Sequence, residues 1–495
     1  MTQAPTRKLL ILLALAAAVL APNTADAFCG FYVSGGGADA FNNATQVVLM
    51  RDGTRTTLSM QNNYEGPLAE FAMVVPVPVV LMVDDVKTLD KSLFDKIDQL
   101  SAPRLVEYWE DDPCHRPEDD NNGSGDYGNN GGGNNGDVVV EAEFKVGEYE
   151  ISILSASDSG ALSGWLESND YNIPDRAEAH LQPYIDAGQY FFVAKVIASE
   201  VRYEDGRAVL SPLRFSYNSE EFSLPIRLGL ISAEDEQDLI VQILARDQRY
   251  EAANYDNVTI PTNIDVRDGV RHEFGAFYNA LFTRTLEENP GAVVTEYAWS
   301  ATQCDPCPLS GVLEPGDLAS LGADLLQPGA SLDNSWVLTR LHARYAADSV
   351  GEDIVLRAAE PIAGGREFTV RYDPSDGRGE SGPELGSFPN RYNAFQGRYA
   401  IRNLWEGPVA CEVARYGQWV GNPDPNAREE PTLASSPNTS GEDFRTQQAE
   451  LETYLAGPIP DRDSAKGTGG CAVAGPTTFA PLAVLGLFLL RLRRG

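Results

Sequence analysis

The chain has 495 residues, with 72 acidic against 38 basic side chains and a formal net charge of −34 at pH 7. A surface of that sign repels phosphate backbones, which argues against nucleic acid as a partner. The length is sufficient for two or three domains with cores of their own.

At the N-terminus, Arg7 and Lys8 precede an apolar run from Leu9 to Leu20, and Ala25-Asp26-Ala27 follows with small residues at both key positions. A basic segment, an apolar core and an A-x-A site make a secretory signal peptide over residues 1–27, with cleavage after Ala27. The apolar core is too short to span a bilayer, which takes about 20 residues. Phe28, rather than a small residue, precedes Cys29, which argues against lipoprotein processing.

Hydrophobic patterning predicts strands at 46–50, 71–80, 138–144, 149–154, 190–198, 224–231, 239–245 and 293–299. Pro76 and Pro78 put the end of the second at a sheet edge or crossing point. Helices are predicted at 87–100, where Leu89, Leu93, Ile97 and Leu100 share a stripe, at 174–187 and at 268–287, where Phe274, Phe277, Tyr278, Leu281 and Phe282 face a core. Strands come in runs rather than in alternation with helices, so the expected class is α+β: β-rich mixed sheets with several packed helices.

Two stretches interrupt this pattern. Residues 110–137 are nearly free of apolar side chains, so they cannot offset their ordering entropy and read as a disordered insertion. Residues 422–470, rich in Pro, Ser, Asn and acids, read as a stalk. One amphipathic helix at 442–456 breaks the stalk, with Phe444, Leu451 and Leu455 on one face and Gly457 as its stop.

The tail gives an address. After Gly470 and Cys471, Ala472 to Leu490 forms 19 residues without a charge, followed by Arg491, Arg493 and Arg494. At 1.5 Å per residue such a run spans roughly 28 Å, close to a hydrocarbon core. The terminal arginines stay on the cytoplasmic side, leaving the rest outside. Residues 471–495 resemble a MYXO-CTERM sorting signal: a Gly-Cys pair, an apolar helix and an arginine cluster in that order. This chain carries one cysteine there, where the commoner form has a Gly-Cys-Gly-Cys cluster. The resemblance implies recognition at Gly470-Cys471, removal of the tail by export and sorting machinery, and display at the cell surface. A plain membrane anchor is the alternative.

The phrases FCGFYVSGG, NNYEGPLAEFAMVVPVPV, GWLESNDYNIPD, YIDAGQYFFVAKV, QCDPCPL, LTRLHARY and FQGRYAIRNLWEGPVAC resemble the bacterial domain-of-unknown-function family 2330. The resemblance runs from Phe28 to about Asn422, so residues 28–421 are taken as one ectodomain with 110–137 inserted. It implies an exported bacterial protein of mixed architecture and brings no catalytic residues.

Five cysteines lie in the ectodomain: Cys29, Cys114, Cys304, Cys307 and Cys411. Export favours disulfides, and the odd count leaves at least one thiol over. Cys114, in the polar tract, is the expected free thiol; Cys29, Cys304, Cys307 and Cys411 allow three connectivities. The C-x-x-C at 304–307 follows a strand, as in thioredoxin-type sites, where the first cysteine gains reactivity at a helix N-terminus. Here Pro308 follows, the next helical stretch begins near Pro315, and Asp305 disfavours a thiolate. A structural pair is favoured over redox activity, and a zinc site would need two further ligands.

Asp120, Asn122, Ser124 and Asp126 match the start of a calcium loop, but Gly131 stands where the bidentate Glu belongs, so a solvated linker is the preferred reading. His342 sits in a core-like run beside Leu341 and Ala343 and reads as structural; His272-Glu273 lacks a zincin's second histidine. No nucleotide, hydrolase or dinucleotide motif is present, and no cofactor is implied. The expected function is a non-enzymatic structural or binding module of the cell envelope. The rivals are a Cys304/Cys307 redox protein and a calcium-stabilised adhesin.

Overall fold

The computed structural model describes most of residues 31–459; residues 1–30, 115–142, 434–449 and 460–495, with shorter stretches between elements, lie outside it. The leader with Ala25 and Ala27, Cys29, the Asp120–Asp126 tract and the tail from Gly470 to Arg494 therefore fall outside the described residues. Among the described residues no helix is long and apolar enough to cross a membrane.

The elements that matter below are, in chain order, β1 (Thr45–Asp52), β2 (Arg55–Gln61), α1 (Lys91–Ser101), β3 (Arg104–Glu110), β4 (Gln237–Arg246), α2 (Phe274–Glu288), β5 (Val293–Ser300), β6 (Trp336–Tyr345) and β7 (Arg398–Asn403). β1 and β2 form a hairpin closed by the two residues between Asp52 and Arg55, with Gly53 at φ +59°, a left-handed conformation such turns require. β1 runs parallel to β4; β4 pairs antiparallel with β6 along its whole length, and β6 pairs with β5. They are the centre of an 11-stranded mixed sheet.

A second, six-stranded sheet, including Phe71–Val77 and Tyr190–Val196, lies against one face of the large sheet. Side chains alternate across a strand, so Val47, Leu49, Val241, Ile243 and Leu341 point into the shared core, where they meet Val75, Ile151 and Phe192. Helices Ser159–Ser168 and Ala177–Asp186 cover the outer face of the smaller sheet. On the far face of the large sheet, Val48, Met50, Leu244 and Leu338 pack against Leu93, Phe94, Ile97 and Leu100 of α1. α2 covers the neighbouring strands and also packs on a third sheet in which β7 and β3 run parallel. The result is helices, sheet, sheet, helices: an α+β architecture.

Several local expectations change. Residues 224–231 are not one strand: pairing stops at Leu224, before Pro225, and Arg227–Ile231 forms a 3-10 turn that buries Leu228, Leu230 and Ile231. The helix expected from 87 begins at Lys91, where the Asp90 carboxylate accepts from Ser92 N at 2.9 Å, because Val86–Thr88 is taken up as a strand beside Leu213–Asn218. The helix expected from 268 opens with a separate 3-10 turn, Asp268–His272. Pro76 sits in an inner strand, opposite Phe191, and among the described residues the neighbour on its other side pairs as far as Val74.

The C-terminal segment is also more than a stalk. The described part of the expected 442–456 helix is a 3-10 turn, Leu451–Thr453, and Leu451, Tyr454 and Leu455 are buried against α2 and β7. The backbone fixes it there: Arg267 N donates to Tyr454 O at 2.8 Å and Ala456 N to Asp265 O at 3.1 Å. Thr432–Leu433 also adds to the edge of β3.

Candidate functional site

The cysteines carry the chemistry expected from sequence. Cys304 and Cys307 are joined to each other, with Cα atoms 4.9 Å apart. They sit past the end of β5; Cys304 packs partly against the α1 core and Cys307 is exposed. The next described helix starts at Pro315. Gln396 Nε2, from a buried side chain, donates to the Asp305 carbonyl at 2.5 Å and holds the loop to the sheet. Among the described residues no helix begins at this C-x-x-C, and a helix N-terminus is what activates a thioredoxin-type thiolate.

Cys114 is not the free thiol. It is bonded to Cys411 across a sequence separation of 297, with Cα atoms 5.5 Å apart, an ordinary disulfide span. The polar composition around Cys114 suggested a floppy loop, but four residues earlier Glu110 ends β3, whose pairing with β7 carries the two cysteines towards each other.

This disulfide pins a surface loop. The Glu110 carboxylate accepts from Trp405 N at 3.1 Å and from Gly417 N at 2.7 Å, so one side chain gathers both ends of the segment. Trp419 and Val420 then pair with the end of β3. The Arg402 guanidinium lies between two aromatic rings, 4.8 Å from Trp419 and 5.6 Å from Tyr108, and bonds Asp265 at 2.8 Å.

Sequence reasoning missed a second constellation, a chain of charges buried between the large sheet and its helices. Arg340, His342 and Arg344 alternate on β6 and so share one face. β5 meets β6 with a register shift between Thr295 and Tyr297, which places Glu296 in a bulge and aims its carboxylate at that face. Glu296 accepts from Arg340 Nε at 2.6 Å, contacts His342 Nδ1 at 2.7 Å, and takes a short hydrogen bond from the Tyr278 hydroxyl of α2. Arg340 Nη1 also reaches Asp98 of α1 at 2.5 Å. His342 Nε2 lies 3.4 Å from Asp238 Oδ1 on β4, which itself accepts from Arg344 Nε at 2.8 Å. Phe282 stacks on the His342 ring with centroids 3.7 Å apart.

Three carboxylates thus face two guanidiniums and one imidazole, and local neutrality calls for a protonated His342. Burial disfavours the charged ring, but Glu296 and Asp238 outweigh it and raise the His342 pKa above its usual 6.5. Burial also pushes Glu296 up, yet His342 and Arg340 hold it down at about 2. Asp98 moves the other way: burial raises it, with Arg340 opposing. Among the described residues no group of acids, histidines and cysteines is arranged to hold a metal. The cluster ties α1, α2, β4, β5 and β6 together and is closed to solvent, so its chemistry is that of an electrostatic clasp.

A pH dependence follows. The stabilisation through His342 is fully present below about pH 6.5, the unfolded value, and is lost as pH rises through the higher folded value. That through Glu296 is present above about pH 4.3 and is lost as pH falls towards the folded value. Resistance to urea is therefore expected to peak between these limits. His342→Gln should flatten the alkaline decline in particular; an unchanged alkaline limb in that variant would count against the clasp.

Residues 23–357 match a family described as an uncharacterized protein conserved in bacteria. The match includes the whole buried clasp and stops short of Asn422, so the loop pinned by Cys411 lies beyond it. No curated protein matches the chain. Among solved structures, the crystal structure of baculovirus P35 is similar at 11% identity over 66% of this chain and 98% of that one, with a TM-score of 0.24, too low to bear on the fold.

Proposed function

This chain belongs to the DUF2330 family, and from that premise we propose that it is an exported, non-enzymatic module of the bacterial cell envelope, acting by binding or bracing. The observation that carries the reading is the Cys114–Cys411 disulfide. It joins distant parts of the chain outside any redox motif, and such bonds form and persist in oxidising compartments. The leader ending at Ala27 and the uncharged run before Arg491, Arg493 and Arg494 supply a matching address: export through the inner membrane, then anchoring or sorting at Gly470-Cys471. The burial of the Glu296–His342 cluster supports a structural role for the groups that otherwise resemble catalytic ones. The acidic surface supports a partner other than nucleic acid.

Intact mass of the protein purified from its native envelope, with non-reducing peptide mapping, tests this. The expected result is a chain beginning at Phe28 with Cys114 and Cys411 in one linked peptide pair. Retention of Met1 to Ala27, or alkylation of both cysteines without reductant, would overturn it. The same spectrum reports whether the tail is cut near Cys471.

One observation favours a second reading, thiol–disulfide exchange in the envelope: the Cys304–Cys307 pair is closed and Cys307 is exposed. Turnover of a model dithiol that disappears in Cys304→Ser would promote it over the binding module.

A further inference from the structure

Among the described residues seven large hydrophobic side chains are exposed, and four of them, Leu404 at 69%, Tyr416 at 64%, Val409 at 42% and Val420 at 41%, fall in the one segment held by Cys411. Scattered apolar residues need no explanation, but a cluster on one fixed loop does. The segment is fixed at four points: the disulfide, the two backbone donors to Glu110, and the pairing of Trp419 and Val420 with β3. A loop pre-organised in this way loses little entropy on binding. Its composition, with Trp405, Tyr416 and Trp419 and the stacked Arg402, is that of an interface centre.

The charges around it select the occupant. Glu406 and Glu412 are exposed on the same segment, and Asp111 and Asp112 flank the disulfide at the end of β3. Arg402 is committed to Asp265 and to the two rings; Arg415 lies outside the described residues. Exposed apolar side chains and exposed carboxylates on one short segment complement a partner segment that presents apolar anchors flanked by lysine or arginine.

We propose that the described residues of the 404–421 segment, Leu404, Val409, Tyr416 and Val420 with Glu406 and Glu412 among them, form a docking surface for a basic, amphipathic polypeptide segment of another protein. This rests on the reading of the chain as a binding module and names its partner's chemistry. The test is fluorescence anisotropy on the full chain with three labelled helical peptides: a Leu/Lys amphipath, a counterpart with Leu replaced by Ser, and one with Lys replaced by Glu. The Leu/Lys peptide should bind at least about tenfold more tightly than either counterpart, and Leu404→Asp with Tyr416→Asp should weaken it about tenfold. Because those substitutions add negative charge, attraction by charge alone would strengthen, so a loss reports the apolar anchors. Glu406→Lys with Glu412→Lys should also weaken binding, whereas Glu287→Lys with Glu288→Lys, exposed on α2, should not.

Equal binding of the Ser/Lys peptide, or unchanged binding by the Leu404/Tyr416 variant, would overturn the proposal. So would phosphatidylcholine vesicle binding or dimerisation that this variant abolishes, which would assign the surface to lipid or to a second copy. Failure here leaves the mass and disulfide result untouched, and failure of export leaves this binding result untouched.

Discussion

Glu296→Ala is expected to lower the free energy of unfolding by about 3–5 kcal/mol, the range for breaking a buried ion pair by removing one partner. The size follows from what is left behind. Arg340 Nε, His342 Nδ1 and the Tyr278 hydroxyl all converge on this one carboxylate, and none can turn to water. Arg340 keeps Asp98, but its Nε and the Tyr278 hydroxyl lose their acceptor, and the cluster regains neutrality only by His342 giving up its proton. The control is Asp95→Ala, which removes the half-exposed Lys91–Asp95 pair along α1 and should change stability by no more than about 0.5 kcal/mol. Urea titration with an unchanged slope measures both. A loss below about 1 kcal/mol for Glu296→Ala would mean that water or rearranged neighbours replace the carboxylate, and the clasp would not be a principal brace of the fold.

Why the clasp escaped a reading of the sequence can be stated residue by residue. α1 was legible because Leu93, Ile97 and Leu100 repeat at helical spacing; β1, β4 and β5 were legible as apolar runs between polar breaks. In β6 the signal was present but of another kind: Arg340, His342 and Arg344 alternate with Leu341 and Ala343, which in a strand puts three cations on one face. Their partners Asp98, Glu296 and Asp238 lie 242, 46 and 106 residues away, so no local spacing announces them. A lone Glu296 within the apolar VVTEYAW strand was the clue available, since a carboxylate there needs a cation. Cys114 misled for the opposite reason. Composition described its disordered-looking surroundings correctly as polar, while the cysteine itself sits at the boundary, within reach of the end of β3. The same holds for Leu451 and Leu455: their common apolar face was legible, but its burial against α2 depends on contacts far along the chain.

Cys114→Ser is expected to cost about 5–6 kcal/mol of stability, and Cys304→Ser about a third of that, by the loop-closure account of disulfides. Each crosslink acts chiefly on the unfolded chain, by the entropy it removes, and that grows with the logarithm of the loop it closes. The separations are 297 residues for Cys114–Cys411 and 3 for Cys304–Cys307. The parallel pairing of β3 with β7 already holds the ends of the larger loop together in the folded state. That pairing does not diminish the effect, because it melts with the rest of the fold while the disulfide does not. It does preserve the native geometry, so the variant should still fold. Urea midpoints with and without reductant decide the matter: reduced wild type should fall to the level of the Cys114→Ser, Cys304→Ser double variant, with the larger share of the loss belonging to Cys114. Equal shifts for the two single variants would show that loop length is not the controlling quantity. No shift for Cys114→Ser would mean that the bond contributes nothing to global stability; its role would then be confined to fixing residues 404–421, and the loss would register only in peptide binding.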